Sequence, residues 1–412
     1  MHVQPLRDPT RAGTRGCLHI AATAIVCLGA ACGAAPAHAD PSIPAGCDRP
    51  GRVLEVGPGK SLAVPSAAAA VARSGDVVRI AAGDYRGDVA TWTASRLMIC
   101  GVGGRARLFA DGRSAQNKAI WVVAGTDVEI DGIEFHGAKV PHRNGAGIRA
   151  EHRGSLAIRD SGFFDNENGI LGGHAGSTVT IERSEFARNG YGDGYSHNLY
   201  IGDVDRLTVI DSFFHEAKVG HNLKSRARET RIENSYLMDG PTGSASYLAD
   251  FPNGGIVHLR GNLFHKGPNA ENETAIAYGA EGLRWPTNTF EMVHNTVVST
   301  YRGGWFLFVA SGATSTSLTA NWLAGDGRTE LVTGGFARSR ILQADNVASA
   351  AEDLQGASRI DTPRFWPDGP LPKGLQLDTV ADPTYREDAP RPFRRRPITG
   401  SARMAGALQG AP

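Results

Sequence analysis

Two short segments 24 residues apart, His197-Asn198-Leu199-Tyr200 and His221-Asn222-Leu223-Lys224, nearly repeat each other and carry several side chains able to do chemistry. Alternation along a strand turns Leu199 and Leu223 to one face and Tyr200 and Lys224 to the other. If the segments are adjacent parallel strands, Tyr200 and Lys224 stack about 4.8 Å apart, with Arg226 following on the same side. Arg149, beside the inward Ile148, belongs to the same outward face two copies earlier. Removing a proton next to a carboxylate and expelling an oxygen leaving group takes a cation for the carboxylate, a base and a proton donor. Lys224 is the candidate base, because the nearby cations Arg226 and Arg228 favour the neutral, proton-accepting amine. Arg149 or Arg226 would grip the carboxylate in a fork. Tyr200 or His197 would protonate the leaving oxygen, with His221 as a further proton-transfer candidate. Asn198 and Asn222 would orient the ligand, and Tyr195, Tyr247, Asp250 and Asn253 add polar groups around it.

Each of these residues also has a structural alternative. Asparagines at one position of successive repeats form amide ladders. The histidines can turn inward and serve backbone groups, and Tyr200 can be surface packing. A close pair of carboxylates, which glycoside hydrolysis needs, is missing from consecutive outward strands. Hydrolysis would have to draw on Asp193, Asp203 or Asp250 from loops.

These residues sit in a repeat. The six-residue pattern Ile130-Asp131-Gly132-Ile133-Glu134-Phe135 recurs at Ile181 to Phe186 and Ile232 to Leu237, and the same spacing at Ile158 to Phe163, Val209 to Phe214, Leu259 to Phe264 and, more weakly, Val293 to Val298. The closing positions 135, 163, 186, 214, 237, 264 and 298 are 28, 23, 28, 23, 27 and 34 residues apart. A second strand series precedes the first in each repeat, centred on Ile148, Ile170, Leu199, Leu223, Leu248 and Ile276, which makes Tyr247 and Ala249 the outward pair of its coil. A period this short holds one coil of short strands, too few for a propeller blade. The expectation is an all-β right-handed parallel β-helix, a solenoid whose aliphatic ladder is buried at roughly 1.5 to 3 kcal/mol per side chain.

A solenoid has open ends that need covering. Ser66 to Arg73, rich in alanine, reads as a short helix, followed by the strand Ser74-Gly75-Asp76-Val77-Val78-Arg79-Ile80 and the turn Ala82-Gly83-Asp84-Tyr85. This arrangement resembles the N-terminal cap of the pectate-lyase-like right-handed β-helix superfamily, and the resemblance extends over about residues 51 to 350. That superfamily holds lyases, hydrolases, epimerases and non-enzymes, so it implies a fold rather than a reaction. Asn222-Leu223-Lys224-Ser225, followed by Asn253 to Asn262, resembles the Lys-Ser strand of the alginate and chondroitin lyase branch. The resemblance implies a lysine base assisted by an arginine one coil on, although Arg260 falls in the other strand series. The leading expectation is a lyase acting on an anionic, uronate-containing polysaccharide. A C5 epimerase on the same face and a non-catalytic glycan-binding or envelope-assembly β-helix are the alternatives.

Residues 1–39 combine Arg7, Arg11 and Arg15 with an apolar run and Ala37-His38-Ala39, the pattern of a cleaved signal peptide. Cys32 as a lipid attachment site fits the preceding residues less well. Cleavage leaves Cys47 and Cys100, which an oxidising compartment would let pair, the alternative being two free thiols. The expected product is a secreted or periplasmic monomer without a membrane span. The 43 lysines and arginines balance 42 acids, which gives no global field for nucleic acid. No metal site is predicted. Ca²⁺ at Asp193, Asp203 and Asp205 is the one cation considered, against solvated turn acids. The β-helix is expected over residues 40–350. Residues 351–412, rich in proline and carrying Arg394-Arg395-Arg396, are expected to form an irregular tail or cap.

Overall fold

The computed structural model describes residues 44–240, 243–325 and 341–351, together with short pieces at 330–333, 354–355, 366–367, 379–381, 395–397 and 406–407. The predicted signal peptide, Cys32 and most of the tail lie outside the described residues.

From Val53 onward the chain winds into a right-handed parallel β-helix with three strands per coil rather than the two expected. One coil runs Ala146–Ala150, Ser155–Arg159 and Gly162–Phe164 before Asn168–Gly172 pairs back onto its first strand. Each six-residue copy splits into two strands around a bend, because one residue there is left-handed: Gly132 (φ 69), Asp160 (φ 47), Arg183 (φ 47), Asp211 (φ 50) and Asn234 (φ 46). Only glycine takes this conformation freely, so the other residues need support.

The small residue after the bend supplies it. Ser161, Ser184, Ser212 and Ser235 each accept the backbone N–H of the equivalent position one coil earlier, and Asn262, Asn295, Asn321 and Asn346 continue the row. Inside, Ile148, Ile170, Leu199, Leu223, Ala249 and Ile276 stack in register along one wall. Phe135, Phe163, Phe186 and Phe214 stack along another, with ring centroids 4.5 to 5.0 Å apart.

The short helix Pro65–Val71 begins with Pro65 at a position where a missing N–H is harmless. Its Ser66 N–H is held 3.0 Å from Asp88 Oδ2. Cys47 and Cys100 form a disulfide across 53 residues, tying the turn Ala45–Cys47 to the strand Met98–Phe109. In the tail, Leu354–Gln355 pairs with Trp366–Pro367 and Thr379–Ala381 with Arg395–Pro397, both antiparallel. Ala407 N–H donates to Thr296 Oγ1 at 2.9 Å, bringing this part of the tail onto the helix wall. No helix among the described residues is long and apolar enough to cross a membrane.

Candidate functional site

The strand Leu199–Ile201 lies between Asn168–Gly172 and Leu223–Ser225, so Tyr200 pairs with Lys224 in register as expected. The next strand, Ala249–Phe251, brings a correction. Ala249, not Leu248, pairs with Leu223 and faces inward, while Asp250 pairs with Lys224. A one-residue shift of register exchanges the two faces of a strand. The outward row therefore reads Arg149, Leu171, Tyr200, Lys224, Asp250 and Ala277.

Lys224 is buried, and its Nζ donates to Glu281 Oε1 at 2.8 Å and lies 3.3 Å from Asp250 Oδ2. Arg226 makes three contacts at once: Nε to Tyr200 Oη at 2.8 Å, Nη1 to Asn253 Oδ1 at 2.5 Å and Nη2 to Glu281 Oε2 at 2.7 Å. One carboxylate, Glu281, is thus held on its two oxygens by Lys224 and Arg226. Burial acts to raise the Glu281 pKa, but the bonds from Lys224 and Arg226 outweigh it and hold the carboxyl below its ordinary range. Burial likewise opposes the charge on Arg226, and its bonds to Glu281 and Tyr200 outweigh that and raise its pKa. Because a lone pair of the Tyr200 oxygen accepts from Arg226, the phenol O–H remains available to donate.

Glu281 escapes the repeat because it belongs to none of the strands. It sits in the excursion between Thr274–Tyr278 and Thr289–Val293, anchored by Glu281 N–H to Pro252 O at 3.0 Å, Arg284 N–H to Asn253 O at 3.0 Å and Trp285 Nε1 to Arg226 O at 3.1 Å. Gly279 (φ 78) and Gly282 (φ 95) supply the left-handed turns at its start. The one sequence signal for it is the 34-residue coil, the longest of the series.

Other expectations are corrected by burial and bonding. Asn198 and Asn222 are not ligand groups on the open face. Both are buried in an amide ladder in which Asn166, Asn189, Asn198 and Asn222 are joined by side-chain bonds of 2.7 to 2.9 Å. His197 and His221 are buried and stacked 4.7 Å apart behind the groove. Nδ1 of His197 accepts the His221 N–H at 2.9 Å, and Nδ1 of His221 accepts the Tyr247 N–H at 3.3 Å, which leaves the ring proton of each on Nε2. Nε2 of His221 then faces Asp250 Oδ2 at 3.3 Å. Burial first, then the neighbouring positive groups, drives the His197 pKa well down, and burial lowers that of His221 against the pull of Asp250. These rings hold strands and Asp250 in place.

Arg149 stands two strands from Tyr200 and three from Lys224, about 10 and 14 Å along the axis, and so lies outside the Lys224 cluster. Arg228 leaves it too, pairing with Asp205 at 2.6 Å. The expected crowd of unpaired cations is therefore neutralised by Asp250, Glu281 and Asp205. Arg260 lies in Ile256–Arg260 on a different wall, in register with Glu233, so the assisting arginine implied by the lyase resemblance is not at the site. Tyr195 is 85% exposed on the turn before the site, its N–H capped by Asp193. Tyr247 rests on His221, ring centroids 5.0 Å apart. Asn253 is buried and orients Arg226. Asp250 on its strand and Glu281 from the excursion both approach the same Lys224 ammonium, at 3.3 and 2.8 Å.

Among solved structures, the pectate lyase Pel9A matches 88% of this chain and 98% of its own, with TM-score 0.58 and 14% identity. The two chains share the parallel β-helix fold. An alginate lyase from Paenibacillus sp. str. FPU-7 matches 69% of this chain and 96% of its own at TM-score 0.46 and 16% identity. A pectin methylesterase from Aspergillus niger matches 72% and 90% at TM-score 0.39 and 11% identity. No family model and no curated protein matches the chain. At these identities the likeness is one of fold.

Proposed function

We propose that the protein is a carbohydrate-active β-helix enzyme that cleaves a uronate-containing polysaccharide by β-elimination. The observation that carries this reading is the grip of Lys224 and Arg226 on the two oxygens of Glu281. That pair, with Asn253 bracing the guanidinium, forms a carboxylate receptor opening onto a long outward face. A substrate uronate displacing Glu281 would have its charge neutralised by Arg226, which acidifies the proton on C5. Lys224, released from Glu281, gives up its ammonium proton to solvent, and the neutral amine takes the C5 proton. The C5–H electrons form the C4–C5 double bond, the C4–O bond breaks, and Tyr200 protonates the departing oxygen. The Lys224 proton then returns to Tyr200 through solvent. The Cys47–Cys100 disulfide and the signal-peptide pattern support export into an oxidising compartment, where such polymers are met.

The test is incubation of the purified protein with pectate, alginate, glucuronan and glycosaminoglycans while the ultraviolet absorbance of unsaturated ends is recorded. Appearance of those ends, abolished in K224A, is expected. No unsaturated product from any uronan would reject elimination, and full activity in K224A would remove Lys224 from the mechanism. Hydrolysis is a second reading, favoured by the approach of Asp250 and Glu281 to one ammonium. It would yield new reducing ends without unsaturation.

A further inference from the structure

We propose that Arg149, with Arg143 and Tyr191 beside it, forms a second carboxylate subsite that binds another uronate of the same chain, about three sugars from the one held at Lys224. The inference rests on the uronate reading of the Lys224 site. Arg149 shares the outward row with Tyr200 and Lys224, two and three parallel strands away, and lies about 14 Å from Lys224. The two intervening strands present Leu171 and Tyr200 to the row, so no charged side chain of the row interrupts the path. An extended pyranose chain advances by close to one strand spacing per sugar, and a polymer laid along the axis therefore brings a carboxylate to each station.

The electrostatics of Arg149 point to an external anion. Arg183, Arg188, Arg206, Arg226 and Arg228 each have a carboxylate within 4.0 Å. Arg149 and Arg143 have none among the described residues. Arg149 makes one hydrogen bond, Nη2 to Asn144 O at 3.0 Å, and its buried Nε has no partner. Burial works against its charge and lowers its pKa, with Glu151 only partly opposing. A half-buried guanidinium left unneutralised costs stability, and a carboxylate arriving from solvent would recover that cost.

The surroundings are built rather than loose. The segment carrying Arg143 and Asn144 is clamped by Glu167, whose Oε2 accepts Val140 N–H at 3.1 Å and Gly145 N–H at 2.7 Å. Arg143 lies over the Tyr191 ring, 4.6 Å from its centroid, and that ring is 46% exposed. An exposed aromatic face next to guanidinium groups suits a sugar ring bearing a carboxylate.

The experiment is a rapid fluorescence titration in the cold, before turnover, of wild-type protein, R149Q and R143Q with oligogalacturonates and oligoalginates of two, four and six sugars. Thermal unfolding of each variant checks that it is folded. For wild type, six sugars should bind about tenfold more tightly than two, the scale of one charge-assisted contact. R149Q should lose that increment while keeping wild-type affinity for two sugars, and R143Q should lose part of it. A folded R149Q that retains the whole increment overturns the subsite, as does a wild type whose affinity does not change with length. If wild type binds no uronide of any length, the uronate reading of the Lys224 site fails and the subsite falls with it.

Discussion

Replacing Glu281 by glutamine keeps its shape and removes the charge that Lys224 and Arg226 hold. If Glu281 stands where a ligand carboxylate goes, it competes with that ligand, and its neutral replacement should bind uronides more tightly. The size follows from two ion pairs of 2.8 and 2.7 Å to a side chain that is 43% exposed. Pairs this close to solvent are worth about 0.2 to 1 kcal/mol each. Releasing both lowers the competition by about 1 kcal/mol, or about fivefold in dissociation constant. Because its two cations hold the Glu281 carboxyl below its ordinary range, it stays ionised from neutral to mildly acidic pH. The advantage of E281Q should therefore persist from neutral to mildly acidic pH. The assay is the titration of wild type and E281Q with the same oligouronides, read as dissociation constants. Equal or weaker binding by E281Q would refute the idea that Glu281 stands in for the ligand, and would instead make its carboxylate part of the binding or reacting machinery.

Asn222→Ala should lower stability by about 1 to 3 kcal/mol, because it removes the buried bonds from Asn198 Nδ2 to Asn222 Oδ1 and from Asn222 Nδ2 to Met238 O and leaves one N–H of the Asn198 amide without its acceptor. Uronide affinity of the folded variant should not change, and lost affinity without lost stability would contradict the ladder assignment. Replacing Cys47 and Cys100 by serine should cost about 4 kcal/mol, the chain-entropy value for a 53-residue loop, seen as a lower denaturant midpoint. An unchanged midpoint would mean the bridge constrains nothing that the packing does not already fix. Burial lowers the folded pKa of His152, His197 and His221 and pushes that of His265 down to about 3, while His215 between Glu185 and Glu216 is raised. Groups lowered on folding contribute stability above their unfolded value near 6.5 and lose it as pH falls toward the folded value. With four lowered and one raised, urea midpoints should fall between pH 7 and pH 5, and a flat or rising profile would refute the balance.

The repeat was readable because the interior imposes one large apolar residue per wall per coil and a small polar residue after each bend. Ile148, Ile170 and Phe163 announce themselves by that rule. The third strand per coil was hidden because the bend occupies a single residue, so two strands read as one segment. Asp250 was misplaced for a similar reason: Leu248 and Ala249 are both apolar and both buried, and nothing local says which of them continues the Leu223 ladder. Asn198 illustrates the opposite ambiguity. An outward sugar ligand and an inward ladder member share one sequence pattern, and only the bond from Asn198 Nδ2 to Asn222 Oδ1 separates them.

The charge state of the groove depended on contacts that no spacing rule can supply. Lys224 and Arg226 lie two residues apart, but the carboxylate that joins them comes 57 and 55 residues later in a segment of irregular length. A solenoid leaves chemistry to such excursions, since its coils are bound by register and its core positions are already committed. The long coil interrupts the repeat without disturbing it, because Thr289–Val293 resumes pairing with Ile256–Arg260 in register. A segment tolerated on those terms can change its reach or its charge at little cost to the fold. Substrate choice in this groove should thus be governed more by what the Gly279 to Asn288 segment presents to Lys224 than by the strands that carry Lys224 itself.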